Sequence, residues 1–233
     1  MKHILDIFPQ PNETTCGPTC LHALYQYYED DVDLNQLITE VRALDEGGTL
    51  AVFLGINALK RGYRTEIYTF NLHIFDPTWF KTPGISLLEK LRGQTEYKKD
   101  EKLLVATQGY LEYLQLGGEI RFHDLNIALL KSYLYQGIPI IAGLSATYLY
   151  MCMREIGATN TDDDLQGEPS GHFVVLLRYD TKKKRILLAD PYKPNPFSQD
   201  QYYYINVNRI INAILLGVIT YDSNLLIIKP GEK

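Results

Sequence analysis

The sequence predicts an α+β fold, a helical first half followed by a strand-rich second half. Apolar residues from Cys16 to about Tyr135 recur mostly at helical spacing, whereas from Gly137 onward they fall in short β-type runs. Tight turns separate most of those later runs, as in an antiparallel sheet. The chain's 233 residues, 45% apolar and 22% charged, suffice for a full hydrophobic core without disulfide or metal staples. The expected organisation is a single domain over 1–233, with a helical lobe over about 1–135 and a β-rich lobe over about 136–233.

Residues 16–28 read as a helix, with Leu21, Leu24, Tyr25 and Tyr28 on one face and Thr14 or Thr15 as its cap. A second helix covers 34–44. Thr49 is the expected cap of a third, 50–61, which Gly62 stops. Residues 65–70 alternate like a strand. The pattern is weakest over 71–118, where 86–92 and 101–116 look helical on either side of a polar stretch, 93–100. Asp124 is the expected cap of a helix over 125–135. Strand-like runs follow at 138–144, 171–179, 185–189, 202–205 and 225–228, with a helix at 208–216 between the last two. Residues 158–170, rich in Thr, Asn, Asp, Gly and Pro, read as a mobile loop that leads into Gly171-His172 and gates whatever site His172 serves.

Several function classes are disfavoured. A net charge of −5 argues against nucleic acid as partner. The one basic cluster, Lys182-Lys183-Lys184-Arg185, falls where a hairpin turn is expected. No apolar run reaches the roughly 18 residues needed to span a bilayer. The first residues lack the apolar core of a signal peptide, so a soluble, cytoplasmic protein is expected. Three cysteines, Cys16, Cys20 and Cys152, imply no disulfide framework. Cys152, in the apolar run 148–153, reads as buried packing, and Cys20 as core. Cys16, Cys20 and His22 lack the second ligand pair of a zinc site, and Asp162-Asp163-Asp164 lacks calcium-loop spacing. His3, His22, His73 and His123 have no chemical context. No cofactor or metal is expected.

The segment running from Gln10 through Thr15-Cys16-Gly17-Pro18 to Cys20 carries the chemistry. A cysteine in a helix's first turn feels the positive end of the macrodipole and the unpaired amides there, which stabilise thiolate over thiol. Gly17 lets the backbone approach a substrate closely, and Pro18 fits the first turn without losing a hydrogen bond. Gln10, on an extended proline-bracketed segment, is positioned to donate its side-chain amide to an oxyanion. His172 begins an apolar strand and Asp190 ends the next. A hairpin through 180–184 brings the two to the same sheet end, where the carboxylate orients the imidazole and stabilises the imidazolium.

These pieces resemble the papain-like cysteine peptidases, most closely the C39 family and its freestanding relatives. The resemblance rests on Gln10 six residues before Cys16-Gly17, on Cys20, and on Gly48-Thr49-Leu50 with the helix up to Gly62-Tyr63. It continues through Gln136-Gly137-Ile138-Pro139-Ile140-Ile141 and Gly171-His172-Phe173-Val174-Val175-Leu176, and closes on Ala189-Asp190-Pro191. It implies a papain-like fold with Cys16 as nucleophile, His172 as general base and acid, Asp190 as orienting partner and Gln10 as oxyanion donor. It also implies a peptide or protein substrate, a leader peptide being one kind. Thr15 stands where C39 members usually carry Asp, and 71–120 is longer than a minimal C39 domain needs, which suggests a modified cleft or lid. Hydrolysis of a peptide or isopeptide bond is the first reading. Deamidation, transglutamination or amide synthesis through the same acyl-thioester is a second, and a non-catalytic peptide-binding module a third.

Overall fold

The computed structural model describes residues 5–231 apart from 46, 158 and 160, so His3 and the first residue of the expected 158–170 loop fall outside it. The first half supplies α1 (Cys16–Tyr27), α2 (Leu34–Glu40), α3 (Ala51–Lys60), β1 (Arg64–Thr69), a 3-10 turn (Pro77–Phe80), α4 (Leu87–Gln94), α5 (Glu101–Gln115), β2 (Glu119–Arg121) and α6 (Ile127–Leu134). The second half supplies β3 (Ile140–Ser145), α7 (Ala146–Tyr150), β4 (Glu155–Ile156), β5 (Thr161–Asp162), β6 (Gly171–Asp180), β7 (Arg185–Ala189), β8 (Tyr202–Asn206), α8 (Val207–Leu216), a second 3-10 turn (Gly217–Thr220) and β9 (Asn224–Lys229).

The expected α+β organisation is present, with a central sheet ordered β2-β1-β9-β3-β6-β7-β8. All its neighbours are antiparallel except β1 and β2. The first half therefore does more than stack helices: β1 and β2 extend the sheet, and the last strand, β9, is inserted between β1 and β3. β9 can sit there because Leu225 to Ile228 are all apolar and buried, as a strand covered on both faces requires.

One face of the sheet is covered by α1, α3 and α5. Leu21, Leu24, Phe53, Leu54 and Tyr113 share a core with Ile67, Val175 and Leu226. Against the other face α6 and α8 set Leu130, Leu134, Ile210 and Ile214 into a core with Leu144, Val174, Leu176 and Leu225. Each fully buried aliphatic side chain contributes about 1.5–3 kcal/mol relative to exposure. α1 is buried on every side from Cys16 to Tyr25, because apolar and small residues occupy all faces of those turns rather than one stripe.

Several caps differ from expectation. α3 is preceded by Leu50, and the Thr49 hydroxyl donates instead to the Arg42 carbonyl, 2.7 Å away. α6 is capped by Asn126, whose side chain accepts from the Leu129 amide, and not by Asp124. Asp33, Ser86 and Asp100 cap α2, α4 and α5 in the usual way. The long 71–120 stretch forms no lid. Its main helix, α5, packs on α3, with Gly109 set tightly against Val52 and Phe53. Residues 161–170 are more ordered than a mobile loop, since β5 pairs with β4 and Glu168 bridges Glu155.

Candidate active site

Cys16 is the first residue of α1, 9% exposed, at the point where the helix meets the end of β6. Thr15 precedes it as cap residue, but its hydroxyl turns back on Asn12, donating to the carbonyl at 3.0 Å and accepting the amide at 3.2 Å. No side chain caps α1, so its first-turn amides are not occupied by one. Gly17 serves packing. A Cβ there would meet Thr49 Cγ2 at 2.5 Å and Phe173 Cδ2 at 3.3 Å, so only glycine lets α1 sit this close to β6. Cys20, fully buried, gives its thiol to the Phe173 carbonyl at 3.3 Å. Burial raises its pKa well above the usual thiol range, and the expected core role holds.

The β6–β7 hairpin pairs Asp180 with Arg185 and Val175 with Ala189, which carries His172 and Asp190 to the same end of the sheet. His172 Nε2 lies 2.9 Å from Asp190 Oδ1, both side chains being buried. The Cys16 thiol is close enough to the same imidazole to help raise its pKa. With Nε2 engaged by the carboxylate, Nδ1 is the nitrogen left for the thiol. Burial pushes the His172 pKa down, but the Asp190 charge and hydrogen bond, aided by Cys16, raise it to about 10.

Asp190 is held by more than the histidine. Its Oδ2 accepts from the Tyr150 hydroxyl at 2.7 Å and the Tyr203 hydroxyl at 2.6 Å, and its Oδ1 from the Tyr192 amide at 2.9 Å. Burial works against the carboxylate, but His172 and the two phenols outweigh it and keep its pKa below the ordinary value. Tyr150 and Tyr203 were not singled out by the sequence as site residues. Tyr203 falls in the strand-like run 202–205, and the β7–β8 pairing, Leu188 opposite Tyr203, brings it to Asp190.

Gln10 reaches the site on an arm spanning residues 5–10. Tyr202 bridges this arm, its hydroxyl donating to the Leu5 carbonyl at 3.0 Å and accepting the Ile7 amide at 3.1 Å. The Gln10 amide donates to the Pro191 carbonyl at 2.8 Å, next to Asp190. Its side-chain Nε2 donates to the Asn12 carbonyl at 3.0 Å, which leaves one amide hydrogen.

A cavity of about 280 Å³ opens on His172 beside Thr14, a chain neighbour of Cys16, and is lined also by Gln10, Glu13, Tyr150, Glu155 and Tyr192. Cys152 also lines it and is exposed, contrary to the expected burial. α7 is only five residues long and ends in a left-handed Met151, φ 55°, which turns the chain off the sheet before Cys152. Glu13, Glu155 and Asp162 make the rim acidic. Burial first, then Asp162 and Glu13, raise the Glu155 pKa. A wider concavity, about 700 Å³, lies beside Phe8, His22, Asp33 and Arg61, but it contains neither the cysteine nor the histidine of the cluster. No residue of 71–120 lines the 280 Å³ cavity. Among the described residues no group of three or more His, Cys, Asp or Glu is arranged to hold a metal ion, and no helix is long and apolar enough to cross a membrane.

The chain matches the Peptidase_C39 like family over residues 94–211, half of its length, and belongs to that family. It is thus a papain-like cysteine peptidase by class. The matched span contains His172 and Asp190, while Gln10 and Cys16 lie before it. Similar solved structures include a C39-like peptidase from Bacillus anthracis, 16% identical over 98% of this chain and 96% of that one, TM-score 0.49. A double glycine motif protease from an AMS/PCAT transporter, in complex with the leader peptide, is 15% identical over 98% and 94%, TM-score 0.46. Xylellain, a cysteine protease from Xylella fastidiosa, is 15% identical over 97% and 83%, TM-score 0.46. No curated protein matches the chain.

Proposed function

We infer that this peptidase hydrolyses peptide bonds through an acyl-thioester on Cys16, with His172 as general base and acid, Asp190 as its orienting residue and Gln10 as an oxyanion donor. The observation that carries this reading is the His172 imidazole bonded to the Asp190 carboxylate at the wall of an open cavity, with Cys16 near enough to perturb it. His172 Nδ1 takes the thiol proton, and the thiolate attacks the scissile carbonyl carbon. Negative charge developing on the carbonyl oxygen is met by the uncapped amides of α1 and the free amide hydrogen of Gln10. The imidazolium then gives its proton to the departing amine, and the C–N bond breaks. Water, deprotonated by the same Nδ1, attacks the thioester and releases the acid and the thiol. Asp190 stays ionised throughout, stabilising the imidazolium and keeping the ring in the tautomer with Nε2–H.

The substrate is a peptide or protein segment. The acidic rim of Glu13, Glu155 and Asp162 favours basic side chains near the scissile bond. The test is a peptide-library digestion with wild type, Cys16→Ala and His172→Ala, read by mass spectrometry in water and with added amine. Cleavage by wild type alone, with hydrolytic products, is expected. Cleavage by Cys16→Ala at the wild-type rate would remove Cys16 from the mechanism, and products formed only with amine would make the enzyme a transferase.

A further inference from the structure

The residue before His172 is pinned by a second buried carboxylate that takes no part in the Cys16 acyl-transfer steps. Asp222 lies between the second 3-10 turn and β9 and is 7% exposed. Its amide donates to the Gly217 carbonyl at 2.8 Å and its carbonyl accepts the Asn224 amide at 2.6 Å, so its backbone is fixed on both sides. The side chain lies over Gly171. A Cβ on Gly171 would sit 1.9 Å from Asp222 Oδ2 and 2.9 Å from Thr220 Oγ1. The Asp222 carbonyl oxygen occupies the corresponding space beside Gly143, 2.2 Å from a Cβ there, on the strand that pairs with β6. Two adjacent strands thus each use a glycine to admit the same aspartate.

We propose that Asp222 is a positioning residue for His172, seating the Gly171 end of β6 from which the imidazole projects and placing a second buried negative charge within its field. This rests on the reading of Cys16 and His172 as the catalytic pair. The groups that face Asp222 are the Thr220 hydroxyl from the 3-10 turn, Lys102 and Tyr110 from α5, and His172 from β6. Those that face His172 are Asp190, the Cys16 thiol, and the rings of Tyr150 and Tyr192 at 6.0 and 6.2 Å. Among the described residues no cation lies within ion-pair distance of Asp222. Burial accordingly raises its pKa to about 7, with Thr220, Lys102 and His172 only partly offsetting this. Above that pH it is a carboxylate whose charge favours the protonated imidazole. Removing it makes His172 release its proton at lower pH.

The test needs no substrate. Iodoacetamide modification of Cys16 is followed against pH by peptide mass spectrometry, which separates Cys16 from exposed Cys152, in wild type, Asp222→Asn, Asp222→Ser and His172→Ala. In Asp222→Asn the limb on which His172 deprotonates is expected to move to lower pH by on the order of a few tenths of a pH unit, since Asp190 is the carboxylate that dominates the imidazole. Asp222→Ser, which also removes the charge and leaves a smaller side chain, is expected to shift the same limb in the same direction. If Asp222→Asn does not fold, Asp222→Ser alone decides. A wild-type profile in whichever variant folds overturns the proposal, provided His172→Ala changes the profile. If His172→Ala leaves the profile as in wild type, it is the Cys16–His172 reading that fails.

Discussion

Two buried carboxylates flank the His172 end of β6, and they are kept in opposite states. Asp190, fully buried, accepts from two phenols, one backbone amide and the imidazole, and its pKa lies below the ordinary value. Asp222 is nearly as buried, but the nearby Thr220 hydroxyl donates to the Gly217 carbonyl at 3.2 Å, and the Asp222 pKa rises to about 7. Burial penalises ionisation at both, so donors, and not depth, decide the charge. The protein spends three tyrosine-derived donors where a permanent charge is needed and leaves the other carboxylate able to titrate.

Removing the better-held carboxylate has the largest expected effect. Asp190→Ala leaves a desolvated imidazole and two phenols without their acceptor, which costs about 3–5 kcal/mol of stability, as for other broken buried pairs. Peptide hydrolysis is expected to fall on the order of 10³–10⁴-fold, less than on loss of Cys16 or His172, because the ring loses its tautomer control. The pH dependence of stability checks the cause. Asp190, depressed in the fold, contributes stability that is present above its unfolded pKa and lost as pH falls through the folded one. His172, raised to about 10, contributes stability that is present below its unfolded pKa and lost as pH rises toward 10. Wild type should lose stability on both sides of that window, and Asp190→Ala should be flatter. Parallel curves for the two proteins would contradict the pairing.

Asp222→Asn should behave in the opposite sense. A carboxyl whose folded pKa is raised binds its proton more tightly in the fold, so its cost is absent below about pH 4 and complete above about 7. Relative to wild type, Asp222→Asn should gain stability as pH rises from 4 to 8, by up to about 4 kcal/mol. Chemical denaturation at both pH values measures this. A pH-independent difference between the two proteins would show that Asp222 is not being ionised at a cost.

The comparison also separates what was legible in the sequence from what was not. Cys16, His172 and Asp190 could be read because their signals are local: a helix start, a strand start, and a strand end joined by a four-residue turn. The α+β division could be read because helical and strand spacing differ over long windows. The Asp190 tyrosines could not, because Tyr150 and Tyr203 reach one carboxylate from α7 and β8, 53 residues apart in number, through pairings no local pattern encodes. Asp222 was hidden for the same reason. Its partner Gly171 lies on β6, and no local pattern encodes the insertion of β9 between β1 and β3. Cys152 misled because an apolar run was taken as one packed face, whereas the left-handed Met151 breaks it.

The smallest effect, and the one that tests the comparison most finely, is loss of a single phenol. Tyr203→Phe keeps the ring, which packs at 5.0 Å from Phe197, and deletes only the 2.6 Å bond to Asp190 Oδ2. Tyr150→Phe does the same from the other side at 2.7 Å. A hydrogen bond to a charged acceptor contributes about 1.5–3 kcal/mol, and the remaining phenol can recentre on the same oxygen, so each single variant should lose about 1–2 kcal/mol. The double variant removes every donor to Oδ2 and should lose more than the sum of the two. In it Asp190 comes to resemble Asp222, its carboxyl rising toward neutrality, and hydrolysis should decline at mildly acidic pH while holding nearer wild type above it. Additive losses with an unshifted acid limb would mean that the phenols pack against Asp190 without setting its charge, and that the His172 ion pair alone keeps it ionised.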